Sequence, residues 1–204
     1  MAYKRVNRPL RKEIYGDNVQ GLQLSGKVLP SEGYDREKHQ GADFSYADLR
    51  RSSFRMTDLM ETSFEEANLR DANFRGARLK KCDFYKADCR RANFRKSLLR
   101  LACFEGAILT DALFEAANLT EVNFNGADLQ NARFLGAILT GATFSGADLR
   151  NAVYNEKTVW PEDFIPLDHG AIPVDYRPKE EEALARKRIS ELQEAQKETE
   201  DKTV

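Results

Sequence analysis

The chain has 204 residues, 32 Lys and Arg against 33 Asp and Glu, a formal charge of −1 and 41% hydrophobic residues. That length suits one domain with appendages, and no apolar run approaches the length of a membrane-spanning helix. Three cysteines, Cys82, Cys89 and Cys103, fit free thiols in a reducing compartment better than a disulfide framework.

The first residues, MAYKRVNRPLRKEIYGDNV, lack the apolar core of a secretion signal, so a cytoplasmic location is expected. Ile14, Val19, Leu24 and Leu29 fall five apart, mostly without small partners. Residues 1–40 are therefore predicted as a cap with an irregular first coil, in which EGYDREKHQ at 32–40 is a loop and His39 a surface residue.

From 41 to 155 the pattern is strict. In GADFSYADLRRSSFRMTDLM the large apolar residues Phe44, Leu49, Phe54 and Leu59 are five apart, and Ala42, Ala47, Ser52 and Thr57 stand two before them. A helix advances about 100° per residue and would scatter such residues around its axis. A straight strand would point alternate ones to opposite faces. A spacing of two places both side chains on one face of an extended segment, so each unit points a small and a large side chain inward and then bends.

The large position recurs without insertion from 44 to 154, as Phe at eleven numbers ending in 4, then Tyr154, and as Leu at numbers ending in 9 except Cys89. Ala fills 17 of the 23 small positions, and Cys82 is among the exceptions, so Cys82 and Cys89 are expected in the core. The outward position between them is Asp or Asn twelve times, as suits side chains that hydrogen-bond backbone at bends. Gly76, Gly106, Gly126, Gly136, Gly141 and Gly146 are corner residues. Proline is absent from 31 to 160, as backbone amides paired with neighbouring coils would require.

The units ADFSY at 42, ADLRR at 47, ANLRD at 67, ANFRG at 72 and ADLQN at 127 resemble those of pentapeptide repeat proteins. The resemblance implies an all-β solenoid, a right-handed quadrilateral β-helix with one unit per side and 20 residues per coil. Phe44, Phe64, Phe84, Phe104, Phe124 and Phe144 would then form one internal ladder and Phe54 to Phe134 the opposite one, with coils about 4.8 Å apart.

YNEKTVWPEDFIP at 154–166 resembles the segment that follows such arrays in cyanobacterial members, and Trp160 and Phe164 are expected over the open core. Residues 156–178 are predicted as a cap and a proline-rich extended connector. Residues 179–204 are predicted as a helix, KEEEALARKRISELQEAQKE, and a disordered tail.

No catalytic, cofactor-binding or metal-binding constellation is found. His39 and His169 stand alone, and the aspartates are explained by the repeat. Function is therefore expected on the outer surface, where charge is uneven: residues 41–100 carry 14 Lys and Arg against 9 Asp and Glu, and residues 101–154 carry 2 against 6. In a 20-residue coil Arg50, Arg70 and Arg90 form one column and Arg55, Arg75 and Arg95 another, joined by Lys80 and Arg100. Arginine suits carboxylate or phosphate partners. Leu98, Leu101, Ile108, Leu113 and Ile138 replace polar residues as an apolar belt.

The expectation is a non-catalytic, rigid protein-binding module, monomeric or weakly dimeric, that docks on the acidic surface of a larger complex as an assembly or regulatory factor. Some pentapeptide repeat proteins protect DNA gyrase with acidic rods shaped like duplex DNA. That reading is the alternative here, against which the basic first half stands. Direct nucleic-acid or anionic-membrane binding by the arginine columns is a further one, for which Tyr46 and Tyr85 are the stacking candidates.

Overall fold

In the computed structural model, residues 23–174 are described, and those up to Pro173 belong to one compact unit. The predicted helix at 179–204, Pro178 and the register residues Ile14 and Val19 lie outside the described residues.

The fold is a solenoid built from single-residue parallel bridges between positions twenty apart, from Gln23 with Asp43 to Arg133 with Val153. A turn closes every five residues, as in Ala47 N–H to Phe44 O at 3.1 Å and Ala72 N–H to Leu69 O at 3.0 Å. Five residues per turn and twenty per coil make four sides. The sides are numbered here by their inward columns: first Phe44, second Leu49, third Phe54, fourth Leu59.

Backbone hydrogen bonding explains the code of the repeat. In the unit from Ala67, the Asn68, Leu69 and Asp71 N–H groups donate to neighbouring coils and the Ala72 N–H closes the turn. The N–H after the large residue is left over, and the outward Asp or Asn accepts it, as in Tyr85 to Asp83 at 2.9 Å and Thr120 to Asn118 at 3.1 Å. An unpaired amide costs free energy where water is excluded, so a short acceptor two residues upstream recurs. The second corner residue has positive φ in every unit from Gly26 to Asn151, as in Arg51 at 60° and Gly106 at 66°. Glycine meets this without a Cβ penalty, whereas other residues give up about 1 kcal/mol. Their ladder bonds, such as Arg51 N–H to Arg70 O at 2.9 Å, offset it.

Inside, the two phenylalanine ladders are as expected. Phe84 stacks on Phe64 at 5.0 Å and on Phe104 at 4.5 Å between ring centroids, and Phe94 meets Phe84 edge-on at 5.7 Å. Parallel-displaced and edge-to-face contacts both favour the ring quadrupoles. Departures from Ala at the small position are tolerated because their polar atoms find carbonyls. Ser52 Oγ donates to Leu29 O at 3.0 Å, Thr57 Oγ1 to Tyr34 O at 2.7 Å and Cys82 Sγ to Leu59 O at 2.9 Å. Cys82 and Cys89 are buried, and burial pushes both thiols well above their usual range.

Residues 32–40 are not a loop. Gly33 bridges Ser53, Lys38 bridges Asp58, and Tyr34 is buried in the third-side column, stacked on Phe54 at 4.6 Å. His39 is likewise not a surface residue: it is fully buried at a leucine position, with Nε2 2.8 Å from Glu37 Oε2. The ladder depends on backbone groups, so the coil continues although Glu32 and Glu37 hold the small positions.

At the other end, one extra residue shifts the register so that Val159 bridges Ile138. Trp160 lies 5.6 Å from the Phe134 ring and 5.8 Å from Phe144, and Phe164 stacks on Phe144 at 4.6 Å. These rings cover the column ends, as expected. The stretch that follows is not an extended connector up to Pro173. Pro166–His169 forms a 3-10 turn, and Ile172–Pro173 pairs in parallel with Val153–Tyr154. Gly170, at φ 83°, ends the turn where a Cβ would meet Arg150 Cα at 3.2 Å.

Candidate docking surface

Variable side chains stand on four outer sides and four edges. The bridges place Arg50, Arg70 and Arg90 on the edge between second and third sides and Arg55, Arg75 and Arg95 on the edge between third and fourth. Lys80 and Arg100 occupy the edge between fourth and first.

The two arginine columns differ in what they face. Arg50 forms bonds of 2.8 and 2.7 Å to Asp48, which hold that carboxyl below its usual range. Arg70 and Arg90 share Asp88, at 2.6 and 2.7 Å. Beside them the column Arg51, Asp71, Arg91, Asp111 alternates in sign, and Arg91 grips Asp71 at 2.7 Å. This edge is neutralised from within.

The next edge is not. Among the described residues Arg55 and Arg75 form no ion pair, nor do Arg36 and Lys96, which flank Met56 and Gly76 in the adjoining column. All four cations are exposed. Their levels are about 4.8 Å apart. Sequence reasoning named Arg55 and Arg75 but missed Arg36, which it placed in a loop, and Lys96, the second residue of its corner. Among the described residues Lys80 also forms no ion pair, whereas Arg100 pairs with Glu121 at 2.9 Å.

Arg95 closes this edge by bonding Glu115 at 2.8 and 2.9 Å, and Arg133 reaches the same carboxylate at 2.9 Å. Burial pushes the Glu115 carboxyl up, but the two guanidinium groups outweigh it and hold it below the usual range. Ionised Glu115 therefore contributes stability above its unfolded pKa, and the contribution is lost as pH falls through the lower folded value. Glu115→Gln is expected to lower the melting temperature at neutral pH. The gap to the wild-type protein should close as pH falls below about 4, which thermal unfolding across a pH series measures.

Diagonally opposite, the edge between first and second sides carries Glu65, Glu66 and Glu105. There Tyr46 is exposed, and Glu65, then Glu66, raise its phenol. Tyr85 stands in the adjoining column of the same edge, with Glu65 and Glu105. The two candidate stacking aromatics therefore lie among carboxylates, with a cation beside them, Lys86, whose Nζ is 4.9 Å from the centroid of the Tyr85 ring.

The apolar belt is not brought together as one patch. Leu98 and Ile138 are on the fourth side with Asn118 between them, Leu101 on the following edge, Ile108 on the second side and Leu113 on the third. The residues encircle the coil and face four directions because a repeat position advances one side every five residues. Leu98 is 51% exposed and Ile138 43%, so they are single apolar side chains on a polar side.

No helix of the described residues is long and apolar enough to cross a membrane, and among them no three His, Cys, Asp or Glu groups could hold a metal ion.

Two family models match: one described as pentapeptide repeats, in eight copies, over residues 117–153, and one as a pentapeptide repeat region over residues 38–104. Among solved structures, HetL, a pentapeptide repeat protein involved in heterocyst differentiation regulation in the cyanobacterium Nostoc sp. strain PCC 7120, is 24% identical. The match covers 83% of this chain and 93% of HetL with a TM-score of 0.43. A trypsin-treated form of QnrB1, a plasmid-mediated fluoroquinolone resistance protein, is 20% identical over 84% of this chain and 97% of its own, with a TM-score of 0.38. Rfr23 from the cyanobacterium Cyanothece 51142 is 22% identical over 74% and 96%, with a TM-score of 0.29. No curated protein matches the chain.

Proposed function

The chain belongs to the pentapeptide repeat family, and on that premise we propose that it is a non-catalytic protein-binding module, a right-handed coil that docks on a larger complex as an assembly or regulatory factor. The observation that carries this reading is the segregation of unpaired charge. Arg36, Arg55, Arg75 and Lys96 line one edge, where Asp35 is turned to the backbone, and Glu65, Glu66 and Glu105, with the cation Lys86, line the diagonally opposite one. Repeat architectures present extended surfaces of this kind, and complementary charge gives a partner both orientation and speed of encounter.

Two other readings find less support. A DNA mimic needs a long negative surface, and here Asp48, Asp88 and Asp148 are each paired with arginine. Nucleic-acid binding would favour aromatic side chains beside a row of cations, and Tyr46 and Tyr85 stand on the opposite edge, where Lys86 is set among Glu65, Glu66 and Glu105. Affinity capture from the native organism, followed by mass spectrometry, tests the proposal. The expected result is a protein partner retained in stoichiometric amount and released by salt. Retention of nucleic acid alone, or of no macromolecule, contradicts it, and inhibition of gyrase supercoiling by the purified protein would favour the DNA-mimic reading.

A further inference from the structure

The edge between third and fourth sides is more than a line of charge. A half-open hollow of about 260 Å³ lies on it, lined by Asp35, Arg36, Arg55 and Met56. Its wall is fixed. Asp35 Oδ1 accepts hydrogen bonds from Ser53 Oγ at 2.5 Å and from the Arg55 N–H at 2.9 Å, so this carboxylate is turned toward the protein. Met56 is 61% exposed, and its Cγ lies 3.5 Å from where a Gly76 Cβ would stand, so the side chain extends over the glycine of the next coil. A thioether beside these cations offers an adaptable apolar contact. Arg75 stands one coil above Arg55 and Lys96 a further coil beyond.

Resting on the protein-binding reading above, we propose that this edge receives a short acidic segment of a partner protein, lying along the coil axis with an apolar side chain against Met56. Carboxylates on either side of that side chain meet Arg36 and Arg55 below and Arg75 and Lys96 above. Three features select a peptide over a nucleic acid. A phosphate backbone makes no use of the apolar floor at Met56. Among the described residues the edge has no aromatic ring on which a base could stack. Arg36, Arg55, Arg75 and Lys96 form a narrow row spanning about 15 Å over three coil steps, and Glu65, Glu66 and Glu105 on the far edge disfavour a polyanion that wraps around. The column at Arg50, Arg70 and Arg90 is neutralised by its own carboxylates, so the acidic segment is placed on the other edge.

The test uses a fluorescent Glu-Glu-Leu-Glu-Glu peptide as probe, followed by anisotropy at low and moderate ionic strength. The wild-type protein binds it, and added salt weakens binding. Arg55→Gln with Arg75→Gln weakens it by about tenfold or more while the melting temperature is kept. Met56→Asn, or Ser in place of the peptide Leu, weakens it several-fold, and Arg70→Gln with Arg90→Gln leaves it unchanged. Absence of peptide binding, equal loss in the Arg70/Arg90 variant, or equally tight binding of an oligonucleotide of the same charge overturns the assignment. A native partner still captured by the Arg55/Arg75 variant overturns it too, and leaves the protein-binding reading standing.

Discussion

Phe94→Ala lowers the stability of the folded chain by about 3–5 kcal/mol. Phe94 is fully buried, stacked on Phe74 at 5.0 Å and Phe114 at 5.1 Å, with Phe84 and Phe104 edge-on at 5.7 and 5.5 Å. Truncation removes the transfer free energy of a phenyl ring and leaves a cavity. Ladder hydrogen bonds above and below, such as Phe94 N–H to Leu113 O at 2.8 Å, keep the coils from collapsing into it. Phe94→Leu preserves most of the volume and should cost less than about 1.5 kcal/mol. Denaturant unfolding of the two variants measures the difference. A cost below about 1 kcal/mol for the alanine variant would mean that the ladder is not the main source of stability.

Deleting one unit, residues 92–96, destabilises the chain more than deleting a whole coil, residues 82–101. Removal of twenty residues keeps every column: Phe104 falls on Phe64 and Leu109 on Leu69, and each bridge finds an equivalent partner. The loss is that of one repeat, roughly 1–3 kcal/mol at the average stability per residue. Removal of five turns the remainder by one side, so that Leu99 follows Phe74 and Phe104 follows Leu79. Mispacking at about 1–3 kcal/mol per column then applies to all four columns of the junction. Melting temperatures of the two deletion proteins decide it, and a five-residue deletion that melts above the twenty-residue one contradicts a coil of twenty.

Much of this architecture is legible in the sequence because one position carries one physical duty throughout. Phe and Leu alternate because the number of sides is even, Asp and Asn recur because one N–H per unit lacks a ladder partner, and glycine collects where φ is positive. The coil at 32–40 was hidden because Tyr34 and His39 stand where Phe and Leu are expected. Glu32 and Glu37 stand at the small positions, while the backbone bonds that build this coil, such as Tyr34 N–H to Ser53 O at 2.6 Å, do not require Ala there. The burial of His39 followed from the same register, and its Nδ1 has no hydrogen-bond partner among the described residues. The docking edge was half legible. Stacking at intervals of twenty gives the arginine columns, but which guanidinium is free depends on a choice between carboxylates two residues away, as Asp48 for Arg50, and those about one coil away, as Asp88 for Arg70. The apolar belt misled because nearness along the chain is not nearness on a surface that turns every five residues.

The claim that one edge carries the docking function is tested most directly by photo-crosslinking. A benzoylphenylalanine placed at position 56 or at position 46 reports from diagonally opposite edges, both exposed. With the native partner bound, a covalent adduct is expected from position 56 and none from position 46. Adducts of equal yield from both positions, or from position 46 alone, would contradict it.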